Sequence, residues 1–82
     1  MGKVACIMKV FPEEGTDLGK LLARVKGVDG SNKAEVIDFV FGVKVIQATF
    51  VTEDGSGRDF EEEVKALEGV SEVQVEEVGL IS

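Results

Sequence analysis

Few side chains in this 82-residue chain are able to do covalent chemistry. There is one cysteine, Cys6, and no histidine. Ser–His and Cys–His nucleophiles are therefore excluded, as are zinc sites built on paired cysteines and histidines. Cys6 has no partner for an internal disulfide and lies in the apolar run "KVACIMKVF", where a cysteine packs as a small hydrophobe. The "GSG" at 55–57 lacks the Lys and following Ser or Thr of a phosphate loop and reads as a turn. Glu61, Glu62 and Glu63 are consecutive, so a helix spreads them around its polar face into solvent. What remains is "DFVFGVKVI", residues 38–46. Two phenylalanines, a glycine and a lysine interrupt an otherwise aliphatic run. A buried strand has no need of Lys44, and a solvated hairpin has no need of Phe39 and Phe41. The combination suits contact with something else better than catalysis.

The composition narrows what that something is. Nine basic residues against 16 acidic give a net charge of −7. Binding to nucleic acid depends on neutralising phosphates with Lys and Arg, so direct nucleic-acid binding is not expected, and a basic protein partner suits the charge better. Hydrophobic residues make up 44% of the chain and there is a single proline, enough for one apolar core. A domain this small buries only about 60–65% of its unfolded surface and has little room for a deep pocket. No run approaches the ~18 apolar residues that span a membrane, and no signal-peptide pattern opens the chain. One soluble, cytoplasmic domain over residues 1–82 is expected, with no catalytic set, no metal site and no cofactor.

The elements that must position the 38–46 segment follow from hydrophobic period. Residues 3–11 alternate as a strand, with Val4, Cys6, Met8 and Val10 on one face and Ala5, Ile7, Lys9 and Phe11 on the other. After "PEEG", Thr16 is the expected N-cap of a helix in which Leu18, Leu21, Leu22 and Val25 recur at helical spacing. Gly27 followed by Val28 is the expected helix ending, of Schellman type. Residues 33–39 read as a second strand and 41–52 as a third, rich in β-branched residues. Asp59 opens a second helix with Phe60, Val64 and Leu67 inward, and Gly69–Val70 repeats the Gly–Val ending. The last strand, from 71, loses its alternation between Val75 and Val78, the mark of a bulge or a fraying end.

The order β-α-β-β-α-β predicts a split βαβ arrangement. Right-handed crossovers put both helices on one face of a four-stranded antiparallel sheet, a ferredoxin-like α+β plait. The face without helices then carries Ala5, Ile7, Lys9 and Phe11 with Phe41, Val43, Val45, Gln47, Thr49 and Val51. Two readings of it are open: central strands favour β-branched residues wherever they point, or the face is a contact surface for another protein or a weakly associating second copy. The fold alone selects no function. An acylphosphatase needs an arginine in the loop after the first strand, where "PEEGTD" is acidic. An RNA-recognition domain needs aromatics flanked by basic residues on the central strands.

Several stretches together resemble the archaeal elongation factor 1-beta family. The first strand ends in "KVFP", similar to the family's "KVMP". "FGVKVI", residues 41–46, matches its "FG-aliphatic-K-aliphatic-aliphatic" run, "VTED" its "VVED", and "ALEGVSEVQVEEV" its helix-turn-strand ending. The resemblance spans nearly the whole chain and implies a ferredoxin-like guanine-nucleotide exchange factor rather than an enzyme. Its partner would be elongation factor 1-alpha, the GTPase that delivers aminoacyl-tRNA. It also implies partner-binding roles for Phe41 as an exposed aromatic anchor, Gly42 as the residue that lets the chain turn, and Lys44 as a candidate cation near the partner's magnesium site. The plainer alternative for this stretch is a hairpin with Phe39 in the core and Lys44 in solvent. Two departures stand out. Asp38 occupies a place where the family commonly has proline, and the tail "VGLIS" lacks the basic residue that relatives carry near their ends. A different function on the same fold, a small-ligand regulatory module of the ACT kind, is the alternative expectation.

Overall fold

The structure, a computed structural model, describes residues 2–55 and 57–81. Met1, Ser56 in the expected "GSG" turn, and Ser82 at the end of the tail lie outside the described residues. Strands β1 (Lys3–Pro12), β2 (Ser31–Asp38), β3 (Lys44–Glu53) and β4 (Val70–Leu80) and helices α1 (Leu18–Lys26) and α2 (Phe60–Lys65) follow in the order β1 α1 β2 β3 α2 β4. The sheet order is β2-β3-β1-β4, and every neighbouring pair is antiparallel. This is the predicted ferredoxin-like plait.

The predicted helix-facing residues form the core, except Val4, which lies outside it. Met8 and Val10 of β1 and Ile46, Ala48 and Phe50 of β3 are fully buried with Leu21 and Val25 of α1 and Val64 of α2. Cys6 packs at the edge of this cluster. Burial pushes its thiol pKa up, with smaller contributions from Glu61 and Asp59, so it stays a neutral packing group at pH 7. Phe50 and Phe60 stack with centroids 5.0 Å apart, and the Arg58 guanidinium lies 4.5 Å over the Phe60 ring.

The helix ends differ from expectation in instructive ways. Asp17, not Thr16, caps α1, its carboxylate accepting from the Gly19 and Lys20 amides at 2.8 and 3.2 Å. The Thr16 hydroxyl points elsewhere, donating to the Gly69 carbonyl at 3.5 Å. Asp59 caps α2 as expected. Gly27 has ordinary right-handed dihedrals (φ −78°, ψ −8°), and so does Ala66 at the end of α2 (φ −79°, ψ −8°). These two residues are equivalent, and the residues in left-handed conformation are Gly30 (φ 97°) and Gly69 (φ 92°), three places further on in each half. The internal repeat is real but its register is Lys26–Gly30 against Lys65–Gly69. Each segment closes with matching bonds, Ser31 N–H to the Val28 carbonyl and Val70 N–H to the Leu67 carbonyl.

β4 carries the bulge read from its slipped alternation. Val75 pairs with Met8 and Glu77 with Ile7, leaving Glu76 unpaired between them. The extra residue aims Glu76 across the face without helices, where it binds Lys9 and accepts from Gln47. That face is therefore crossed at its centre by a polar network. Phe41 and Val43, expected on it as strand residues, are not in the strand, because β3 begins at Lys44.

Candidate partner-binding hairpin

The chain between β2 and β3 reverses tightly. Asp38 and Lys44 are the last register pair of the ladder. Beyond them the Phe39 amide donates to the Val43 carbonyl at 2.7 Å, and the Val43 amide to the Val40 carbonyl at 3.1 Å. The two central residues of the Val40–Val43 turn, Phe41 (φ 55°, ψ 37°) and Gly42 (φ 75°), both have positive φ. That is the signature of a type I′ turn, whose backbone matches the twist of the strands it joins and which ordinarily selects Asn-Gly. Gly42 meets the requirement without cost. Phe41 does not: it is the only residue other than glycine with positive φ among those described, and a left-handed conformation costs an L-residue about 1–2 kcal/mol.

No burial offsets that cost. Phe41 is 100% exposed, and its neighbours Val40 and Val43 are about half exposed at 53% and 49%. Phe39 instead turns back, its ring edge-to-face with Phe11 at 5.2 Å. The hairpin alternative is thus correct for the backbone but not for Phe39, which lies outside the core, 37% exposed, with its ring edge against Phe11 of β1. Backbone strain combined with a wholly exposed aromatic is an arrangement that folding alone does not favour, and such strain concentrates at contact and switch sites.

The three residues singled out in the sequence lie together in this hairpin. Phe41 and Gly42 form its tip, and Lys44 stands at its base. Lys44 is not a lone cation: its ammonium lies 2.6 Å from the Asp38 carboxylate. Asp38 was not among the expected site residues. A two-residue loop at "FG" would set Asp38 opposite Val45; the loop holds one residue more, Phe39 bonds to Val43, and Asp38 falls opposite Lys44. Reading 41–43 as strand hid this pairing.

The tail lies at the other end of the sheet. Leu80 pairs with Val4, and the Ile81 amide donates to the Lys3 carbonyl at 2.8 Å. Val78, Leu80 and Ile81 are more than half exposed. Among the described residues no group of carboxylates, cysteines or histidines is placed to hold a metal ion, and no helix is long and apolar enough to cross a membrane.

Comparison with known proteins places this geometry in a family. The chain is 30% identical to the elongation factor 1-beta of Thermoplasma acidophilum, over 99% of this chain and 100% of that protein. It is 36% identical to the elongation factor 1-beta of Methanococcoides burtonii, over 96% of this chain and 97% of the relative. The family model of the EF-1 guanine nucleotide exchange domain matches residues 5–81, from β1 through the tail and including the whole hairpin. The chain, a four-stranded plait with an exposed aromatic tip, belongs to the EF-1 guanine nucleotide exchange domain family.

Proposed function

We propose that this protein acts in the cytoplasm as the exchange factor of translation elongation, promoting release of GDP from elongation factor 1-alpha, and that the β2–β3 hairpin is one of its contacts with that GTPase. The observation that carries the reading is Phe41, strained in a left-handed conformation and fully exposed at an apolar tip. Aromatic side chains that enter a partner's pocket often dominate the energy of an interface. A strained turn that presents one in advance lowers the ordering cost of binding.

The mechanism is differential binding and makes or breaks no bond. A partner shifts an equilibrium only by its preference between two states. Release of GDP is accelerated when the complex with the nucleotide-free GTPase is favoured over the complex with the GDP-bound form. Two features of the chain serve this. The hairpin tip supplies apolar area held in one conformation, and the net charge of −7 favours encounter with a basic surface.

The test uses the cognate GTPase loaded with fluorescent GDP. Adding this protein should accelerate release in a saturable manner, and Phe41→Ala should raise the concentration needed for half-saturation by roughly 30-fold, the equivalent of about 2 kcal/mol. Release at the spontaneous rate in the presence of excess protein would sink the reading. If the chain were instead an amino-acid-binding module, free amino acids would raise its melting temperature; they are expected to leave it unchanged.

A further inference from the structure

We propose that Asp38 is a positioning residue for the exchange interaction: it holds Lys44 across the base of the hairpin and thereby fixes the turn that presents Phe41. The proposal rests on the reading of the hairpin as a GTPase contact.

Asp38 and Lys44 are directly opposite in the β2–β3 register, the last rung before the turn. Their side chains bridge that rung at 2.6 Å while staying well exposed, 76% for Asp38 and 56% for Lys44. A cross-strand pair of opposite charge stabilises the local register of a hairpin modestly. Here the register has more to hold than usual. The turn above it contains a phenylalanine in a conformation that suits glycine or asparagine. The apolar residues at the tip lie outside the core, with Phe41 wholly exposed and Val40 and Val43 about half exposed. The two hydrogen bonds between the ion pair and the tip, Phe39 to Val43 and Val43 to Val40, are the only described backbone bonds within the turn. Relaxing the strained Phe41 means opening them, and the charged rung beneath opposes that opening. The same pairing bears on Lys44: its ammonium is committed to Asp38 and serves to hold the hairpin. It is not the charge that perturbs the GTPase.

A positioning pair and an acting cation make different predictions. Asp38→Ala and Lys44→Ala should each raise the half-saturating concentration for GDP release by about two- to fivefold, the range of an exposed ion pair, and leave the maximal release rate unchanged. The charge-reversed double variant Asp38→Lys, Lys44→Asp should recover most of the loss. In a Phe41→Ala background, Asp38→Ala should have no further effect, because the pair acts through that ring. In the free protein, amide hydrogen exchange at Phe39 and Val43 should quicken in both single variants and slow again in the reversed one. A Lys44→Ala variant with a lower maximal release rate, or a reversed pair that fails to restore affinity, would assign Lys44 to direct action on the partner and overturn the proposal. An Asp38→Ala effect that persists without the Phe41 ring would overturn it as well. Should the wild-type protein fail to release GDP at all, the exchange reading falls by itself. The amide measurement then still decides whether the pair fixes the turn, and unchanged exchange rates would end the proposal.

Discussion

At Phe41, stability and function are expected to pull in opposite directions. The residue has φ 55° and is 100% exposed, so its side chain contributes nothing to the core while its backbone is strained. Asparagine tolerates the left-handed region and is the common first central residue of a type I′ turn. Phe41→Asn should therefore raise stability by about 1 kcal/mol while weakening the complex with the GTPase about as much as Phe41→Ala. Denaturant unfolding measures the first and titration of GDP release the second. A variant that loses both stability and affinity would show that the ring packs on the hairpin after all. The contrast also explains why this position was legible in sequence only as an oddity. Composition and period show an aromatic beside a glycine, but a positive φ at a phenylalanine contradicts local preference and is imposed by the turn. Local rules fail where the chain is strained, and strain of this kind concentrates at functional sites.

Among the elements, the strands and core faces were readable because their signal is periodic. Met8, Val10, Ile46, Ala48 and Phe50 alternate in sequence and are all fully buried. Even the bulge at Glu76 shows as a slipped alternation. The helix ends were less legible, because glycine alone does not state its dihedrals. Gly27 followed by Val28 looks like a left-handed cap, yet the left-handed residue is Gly30. The equivalence of Gly27 with Ala66 gives a direct test. An alanine already occupies the same conformation in the second half, so Gly27→Ala should stabilise the domain by about 0.4–1 kcal/mol, chiefly by restricting the unfolded chain. Gly30→Ala should do the reverse. Its φ is 97°, and a Cβ there would lie 3.0 Å from both the Phe60 ring and the Val51 carbonyl oxygen. If the two substitutions changed the melting temperature in the same direction, the repeat register given by the structure would be wrong. The core itself should follow the usual cost of lost volume: Leu21→Ala, at a fully buried site, should cost ~2–5 kcal/mol, read from the denaturant midpoint.

Over the whole molecule the acidic charge and two ion pairs compete as pH falls. The net charge of −7 makes the folded chain repel itself at neutral pH. Protonating exposed carboxylates relieves this, so stability should hold or rise slightly as pH is lowered toward 5. Two carboxylates work against the trend. Glu76 is held below the ordinary carboxylate range by its hydrogen bond from Lys9, and Glu63 by its hydrogen bond from Arg58. A carboxyl with a lower pKa folded than unfolded gives stability that is fully present above the unfolded value, near 4.5. That stability is lost as pH falls through the lower, folded value. The melting temperature should therefore decline below about pH 4.5, after the plateau. The two groups sit on opposite faces of the sheet, Glu76 beside the Lys9–Gln47 network and Glu63 on α2, so their contributions should be separable and roughly additive. Glu76→Gln should lower the plateau and flatten the acid decline, because the neutral amide neither pairs with Lys9 as strongly nor titrates. Thermal unfolding of the wild type and this variant from pH 7 to pH 3 measures both changes. An acid decline just as steep in Glu76→Gln would mean that the bulge holds its carboxylate too loosely to matter, and that Glu63 with Arg58 carries the dependence alone.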